Sequence, residues 1–366
     1  MTRIELPTFT RPIVNEIAPY EPGKPISEVQ REFGLADVIK LASNENPLGP
    51  SPKAIAAVKA ALSDLHRYPD GSGFDLKAKL STHLSFSPDC LVLGNGSTEL
   101  VELVTEAFVG ERDEVVIGRY EFFKYRIAVQ IMNGITVWAE MPGLQYDVDE
   151  LLSKITPRTK VLFIANPNNP TGTLLTAAES DRLMERVPEN VLVVFDEAYY
   201  DYRDPADYPD TMRYLQSGRN VIIMRTFSKS YGLAGLRVGY AITTPAIAQA
   251  MNTVREAFNV NSLGQIAAIA ALDDVDYLQK GIDLNIAGKA FYYRELSRLG
   301  FNYTPSGANF VLVRTPIPGR DLFKKLLQSG VIVRPVDGYG LTDYVRVSIG
   351  LPAENARFID ALSTAI

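Results

Sequence analysis

One cysteine, two histidines and a single tryptophan stand in a chain of 366 residues, and each scarcity closes off a class of function. The lone thiol, Cys90, cannot form an internal disulfide or a thiolate zinc cage. It follows a Pro-Asp pair and opens an apolar run, which predicts a buried strand residue. His66 and His83 lack the i,i+4 spacing of a helical metal pair, and no acidic cluster flanks either, so no metal site is expected. Runs of lysine or arginine are missing and the net charge is −6, which argues against nucleic acid as a partner. The longest apolar stretches, such as 266–272, fall far short of the roughly 20 residues that a membrane helix needs. At the amino terminus Glu5, Pro7 and Pro12 interrupt any signal-peptide core, and the expected location is the cytoplasm.

What is present is ordinary globular text, 46% hydrophobic and 22% charged, long enough for two domains. The first forty residues are rich in proline and predict an extended arm with one short helix near 26–33. From Cys90 onward, short apolar runs alternate with helical periodicity, the pattern of βα units and a parallel sheet. Strands are predicted at 115–118, 160–165, 191–195, 220–225 and 238–242, apolar on both faces as in a sheet covered by helices. Long helices at 262–272 and 276–299 then lead to strands near 309–313, 331–335 and 344–349, a smaller α+β unit. The expected division is an arm (1–40), a large domain (41–262) and a small domain (263–366).

Four motifs carry chemistry. In RTFSKSYGLAGLRVG (225–239), Lys229 offers an amine able to form an imine with an aldehyde; Thr226, Ser228 and Arg237 supply donors for a nearby phosphate. Pyridoxal phosphate demands this combination, although a lysine in a loop is ordinarily just solvated. In VLVVFDEAY (191–199), an apolar strand delivers Asp196 at its carboxyl end, where it can keep a pyridine nitrogen protonated or simply cap a helix. Tyr199, three residues on, could donate to a phenolic oxygen. In KVLFIANPNNPTG (160–172), Asn169 projects an amide suited to the same oxygen, on what could also be a plain turn. In CLVLGNGSTELVELVTEAF (90–108), a glycine turn opens a helix that Ser97 or Thr98 would cap; its amino end suits a phosphate.

These motifs, in this order, resemble the fold-type I pyridoxal-phosphate aminotransferases over essentially the whole length. Within that group the chain is most similar to the histidinol-phosphate aminotransferase branch, through PYEPGKP (19–25), LASNENPLGPSP (41–52), RYPDG (67–71), FNVNSL (258–263), GVIVRPVDGYGL (330–341) and VRVSIGLPAENARF (345–358). The resemblance implies an α/β fold with a mostly parallel seven-stranded sheet and a smaller α+β domain. It also implies a homodimer in which Tyr68 reaches the partner's cofactor phosphate. Phe122 would stack on the pyridine ring, and Arg346 would grip the acidic end of the substrate, assisted by Arg334 and Tyr20. Many relatives carry a proline ahead of the stacking aromatic; here Tyr120 and Glu121 stand instead, as in a subgroup that also acts on aromatic amino acids.

The activity so implied is transamination between histidinol phosphate and 2-oxoglutarate, giving imidazole acetol phosphate and glutamate, with Lys229 as general base and ping-pong kinetics. An aromatic amino-acid aminotransferase and a threonine-phosphate decarboxylase are the alternatives. A transcription regulator is not expected, because about forty residues precede the resemblance, too few for a winged helix and linker.

Overall fold

A computed structural model of the chain describes residues 7–18 and 23–366. In chain order the strands are β1 (Ile39–Lys40), β2 (Leu91–Gly94), β3 (Glu114–Gly118), β4 (Ile135–Ala139), β5 (Thr159–Ala165), β6 (Leu192–Asp196) and β7 (Val221–Thr226). There follow β8 (Gly239–Ile242), β9 (Tyr303–Thr304), β10 (Phe310–Arg314), β11 (Val331–Ile332), β12 (Arg334–Val336) and β13 (Leu341–Ser348). Seven of them form one sheet in the order β2-β8-β7-β6-β5-β3-β4. β8 runs antiparallel to both its neighbours, and the pairings among β7, β6, β5, β3 and β4 are parallel. The fold is thus the α/β arrangement expected.

The apolar runs read as strands because both faces of this sheet are covered. Along β6, Val193 and Phe195 enter one hydrophobic cluster, while Leu192 and Val194 enter the cluster on the opposite face. Such strands show no alternation of polar and apolar residues. β4 escaped the sequence reading: it is the edge strand and its ITVWA run is buried only at Ala139.

The carboxyl-terminal unit is a four-stranded antiparallel sheet, β12-β13-β10-β9, packed against the helices Val275–Arg298 and Pro352–Ala365. The run expected as one strand at 331–335 is two: β11 pairs in parallel with β1, and β12 pairs with β13. Val333, fully buried, is the step between the two sheets. Residues Ile39 and Leu41 join the core of this unit, and Ala267, Ala268 and Ala271 of the Ser262–Leu272 helix join that of the large sheet.

The short helix Ile26–Phe33 forms where expected. Upstream, Arg11 Nη2 donates to the Ile131 carbonyl at 2.6 Å and fastens the arm to the Lys124–Ile131 helix. Cys90 is not a strand residue; Ser87 caps a 3-10 turn over Pro88–Cys90, which leaves the thiol half-buried ahead of β2. Among the described residues no helix is long and apolar enough to cross a membrane, and no group of three or more metal-ligating side chains occurs.

Candidate active site

The strand ends of the large sheet deliver the reactive groups to one place. A cavity of about 130 Å³ is lined by Ser97, Thr98, Phe122, Asn169, Asp196, Tyr199, Thr226, Ser228, Lys229 and Arg237, every one of them named from the sequence. Tyr125, Ala165, Pro167 and Ala198 complete its wall.

At one end sits a set of donors suited to a dianion. The Gly96–Phe108 helix starts at Gly96, with Asn95 in the cap position and no side-chain cap. Ser97 and Thr98 therefore stand inside the first turn rather than capping it, which leaves their hydroxyls and the helix amino end to a ligand. Across from them Ser228 N–H donates to Thr226 Oγ1 at 3.1 Å, and Arg237 Nη1 reaches Ser228 Oγ at 3.3 Å. Only glycine tolerates this closeness. Gly96 has φ +74°, and a Cβ on it would lie 2.5 Å from Arg237 Nη2; a Cβ on Gly239 of β8 would lie 2.7 Å from Ser97 N.

Asp196 ends β6, buried at 6% exposure. Its Oδ2 accepts from Tyr125 Oη at 2.7 Å and its Oδ1 from Ala198 N–H at 3.1 Å. Burial nevertheless pushes the carboxyl up to about 6 from an ordinary 3.8, because these two donors only partly replace water. A bound cation at this carboxylate would reverse that shift. Tyr125 was not found in the sequence; it lies 71 residues from its partner, and only the fold joins them.

Lys229 follows β7, and its Nζ donates to the Ser43 carbonyl at 3.1 Å. Burial lowers the amine to about 8 from 10.5, Arg346 and Arg237 add to the fall, and Glu45 opposes it. About a tenth of the amine is thus neutral and nucleophilic at pH 7, several hundredfold more than at its ordinary basicity. Tyr199 is pushed up to about 12 by burial, so its hydroxyl stays protonated as a donor. Asn44 Nδ2 holds that hydroxyl at 2.9 Å, a second contact invisible in the sequence.

Ser43 and Asn44 belong to a stretch stitched to the carboxyl-terminal sheet. Asn44 N–H donates to Ser348 Oγ at 2.8 Å, Asn309 Nδ2 to the Asn44 carbonyl at 3.0 Å, and Arg346 Nη2 to the Ala42 carbonyl at 2.8 Å.

A second cavity, of about 500 Å³, opens outward from the first and shares Phe122, Asn169, Tyr199 and Lys229 with it. Arg334 on β12 and Arg346 on β13 line it, as the sequence suggested. Arg346 is buried at 8% exposure and donates through Nη1 to Asn169 Oδ1, which leaves the amide nitrogen of Asn169 to donate into the inner cavity. Tyr20 lies outside the described residues. Tyr68 is remote from both cavities in wall composition: it is 83% exposed and stacks on Phe258 with ring centroids 4.9 Å apart. A surface depression of about 550 Å³ beside Asn302, Arg314 and Asp343 holds none of these groups.

The inner cavity fits pyridoxal phosphate by donor chemistry: a dianion cradle that a Cβ would fill, a carboxylate for the ring nitrogen, tyrosine and amide donors for the phenolic oxygen, and an amine of lowered basicity.

A family model described as aminotransferase class I and II matches residues 36–362. The histidinol-phosphate aminotransferase of Moorella thermoacetica is 46% identical over 353 residues, which cover 96% of this chain and 92% of that protein. Histidinol-phosphate aminotransferase 1 of Cupriavidus pinatubonensis is 47% identical over 358 residues, 96% of this chain and 95% of that one. Among solved structures, histidinol-phosphate aminotransferase from Sinorhizobium meliloti in complex with pyridoxal-5'-phosphate superposes with a TM-score of 0.90 at 28% identity, covering 99% of each chain.

Proposed function

The chain belongs to the class I and II aminotransferases, and from that premise we propose that it transfers the amino group of histidinol phosphate to 2-oxoglutarate, the transaminase step of histidine biosynthesis. It is a pyridoxal 5'-phosphate enzyme. The observation that carries the substrate reading is the shared wall: a cofactor-sized cavity with an amine opens directly into a larger one rimmed by guanidinium groups, as an anionic amino substrate requires. Full-length relatives of about 46% identity favour this substrate over an aromatic amino acid or threonine phosphate.

When bound, the cofactor supplies an electron sink for the carbanion at the substrate Cα. The remaining work falls to the chain. Ser97, Thr98, Thr226, Ser228 and Arg237 hold the phosphate; Asp196 keeps the ring nitrogen cationic, with Tyr125 steadying its carboxylate. Tyr199 and Asn169 donate to the phenolic oxygen, and Phe122 covers the ring face. Lys229 Nζ takes the proton from Cα, which its lowered basicity makes possible near neutral pH. Arg346, with Arg334 and Tyr20, grips the acidic end of the substrate.

The active unit is a cytoplasmic homodimer in this reading. Leu62, Leu65, Tyr68 and Phe74 are large apolar side chains left exposed within thirteen positions, and Phe258, also exposed, stacks on Tyr68, which supports a covered face and a route for Tyr68 into the partner's site. We keep the division at 1–40, 41–262 and 263–366 as the working domain scheme, with limited proteolysis as its check.

The test is a donor panel on the cofactor-loaded protein with 2-oxoglutarate as acceptor. Histidinol phosphate is expected to give a kcat/KM at least about tenfold above that of phenylalanine. Faster transfer from phenylalanine, or carbon dioxide release from threonine phosphate, would overturn the reading.

A further inference from the structure

We propose that Arg126 is a specificity-determining residue that binds an oxyanion of the substrate beyond the one held by Arg346; the proposal rests on the transaminase reading above. Arg126 lies on the Lys124–Ile131 helix and lines the outer cavity. Other cations of that wall are engaged: Lys24 pairs with Glu32, Arg320 Nε donates to Asp337 Oδ2 at 2.6 Å, and Arg346 holds Asn169 and the Ala42 carbonyl. Arg126 differs. Its Nε is buried with no hydrogen-bond partner among the described residues.

A buried donor on a charged group that lacks a partner is costly, and native structures retain few of them. Retention in the wall of a cavity that Lys229 also lines is explained when a ligand completes the pair. The position agrees. Phe122, which lines both cavities, stands two residues ahead of the Lys124–Ile131 helix, and Arg126 on the first turn of that helix lines the outer cavity with it. A substrate whose Cα meets Lys229 and whose far end passes Phe122 comes under this guanidinium. The planar fork of arginine matches carboxylate and phosphate oxygens equally. The two half-reactions differ here: glutamate carries a distal carboxylate beyond the α-carboxylate that Arg346 grips, whereas histidinol phosphate has a single oxyanion, its phosphate, and that one is already held by Arg346.

The experiment compares Arg126→Met and Arg126→Lys with the parent protein, each as the cofactor-loaded dimer, in single-turnover half-reactions with histidinol phosphate, glutamate and phenylalanine. Phenylalanine carries no oxyanion besides its α-carboxylate and reports any general damage. Arg126→Met is expected to raise the half-saturating concentration for glutamate by about ten- to a hundredfold relative to histidinol phosphate and phenylalanine, with the limiting rate nearly kept. Arg126→Lys should recover part of the loss. A loss confined to histidinol phosphate overturns the assignment. No change, or an equal change for all three donors, overturns the assignment. Should the parent protein prefer phenylalanine to histidinol phosphate, the substrate reading fails while Arg126 is still judged on the glutamate arm.

Discussion

Gly96→Ala tests the phosphate cradle at its tightest point. Gly96 holds φ +74°, where an L side chain costs about 1–2 kcal/mol. The new methyl carbon would stand 2.5 Å from Arg237 Nη2 and 3.0 Å from its Cζ. Carbon and nitrogen sit comfortably near 3.5 Å, so the guanidinium must retreat by about 1 Å. At that displacement it forfeits a charge-assisted hydrogen bond to the phosphate, worth about 1.5–3 kcal/mol. The corresponding loss is about ten- to a hundredfold in Kd. Titration of the cofactor-free variant with pyridoxal phosphate, followed by visible absorbance, reads that number directly. Gly235→Ala is the control: it lies two residues ahead of Arg237, and a Cβ there meets nothing within 4 Å. A folded Gly96→Ala protein that binds the cofactor as tightly as the parent would refute the cradle.

Three further outcomes are expected. Fixing pyridoxal phosphate onto the cofactor-free protein with borohydride should speed up about tenfold per pH unit toward 8 and then level off; a rise continuing past about 10 would mean Lys229 keeps its ordinary basicity, and Lys229→Ala should take no label and turn over nothing. Glu121, buried against the Gly118 and Ala165 N–H groups and the Tyr146 hydroxyl, is pushed up to about 8 from 4.5 by burial. Between those values the folded protein keeps a proton that the unfolded chain releases, so its contribution to stability is full below 4.5 and is lost as pH rises through 8. Glu121→Gln should therefore flatten the fall in melting temperature across that window, and an unchanged slope counts against the assignment. Tyr125→Phe removes the 2.7 Å donor to Asp196 and should lower kcat about tenfold or more with KM nearly unchanged; parental kcat would show that Asp196 needs no such support.

The site was legible where chemistry and fold share one contiguous run. Asp196 stands at the end of five buried strand residues, and Thr226, Ser228, Lys229 and Arg237 follow one strand within twelve positions, so local pattern was enough. Contacts that bridge distant segments left no such trace. Asn44 meets Tyr199 across 155 residues and Tyr125 meets Asp196 across 71; neither pairing has a periodicity to betray it. Edges were hard for another reason. β4 is only partly buried, so its apolar signal is weak, and the step at Val333 between two short strands reads as one continuous run. Helix starts depend on backbone angles: the positive φ of Gly96 moves the first turn one residue ahead of the hydroxyls that sequence alone nominates as caps.

The reactive amine rides on the large sheet, while the carbonyl that receives its hydrogen bond rides with the other unit. Ser43 precedes Asn44, which is anchored to Ser348 and Asn309, whereas Lys229 continues β7. A displacement of the carboxyl-terminal sheet relative to β7 would therefore change the length of the hold on Nζ. Arg346 is bound to the same strip through Ala42. The guanidinium of Arg346 and the amine of Lys229 are thus held by adjacent carbonyls of one strip of backbone, those of Ala42 and Ser43.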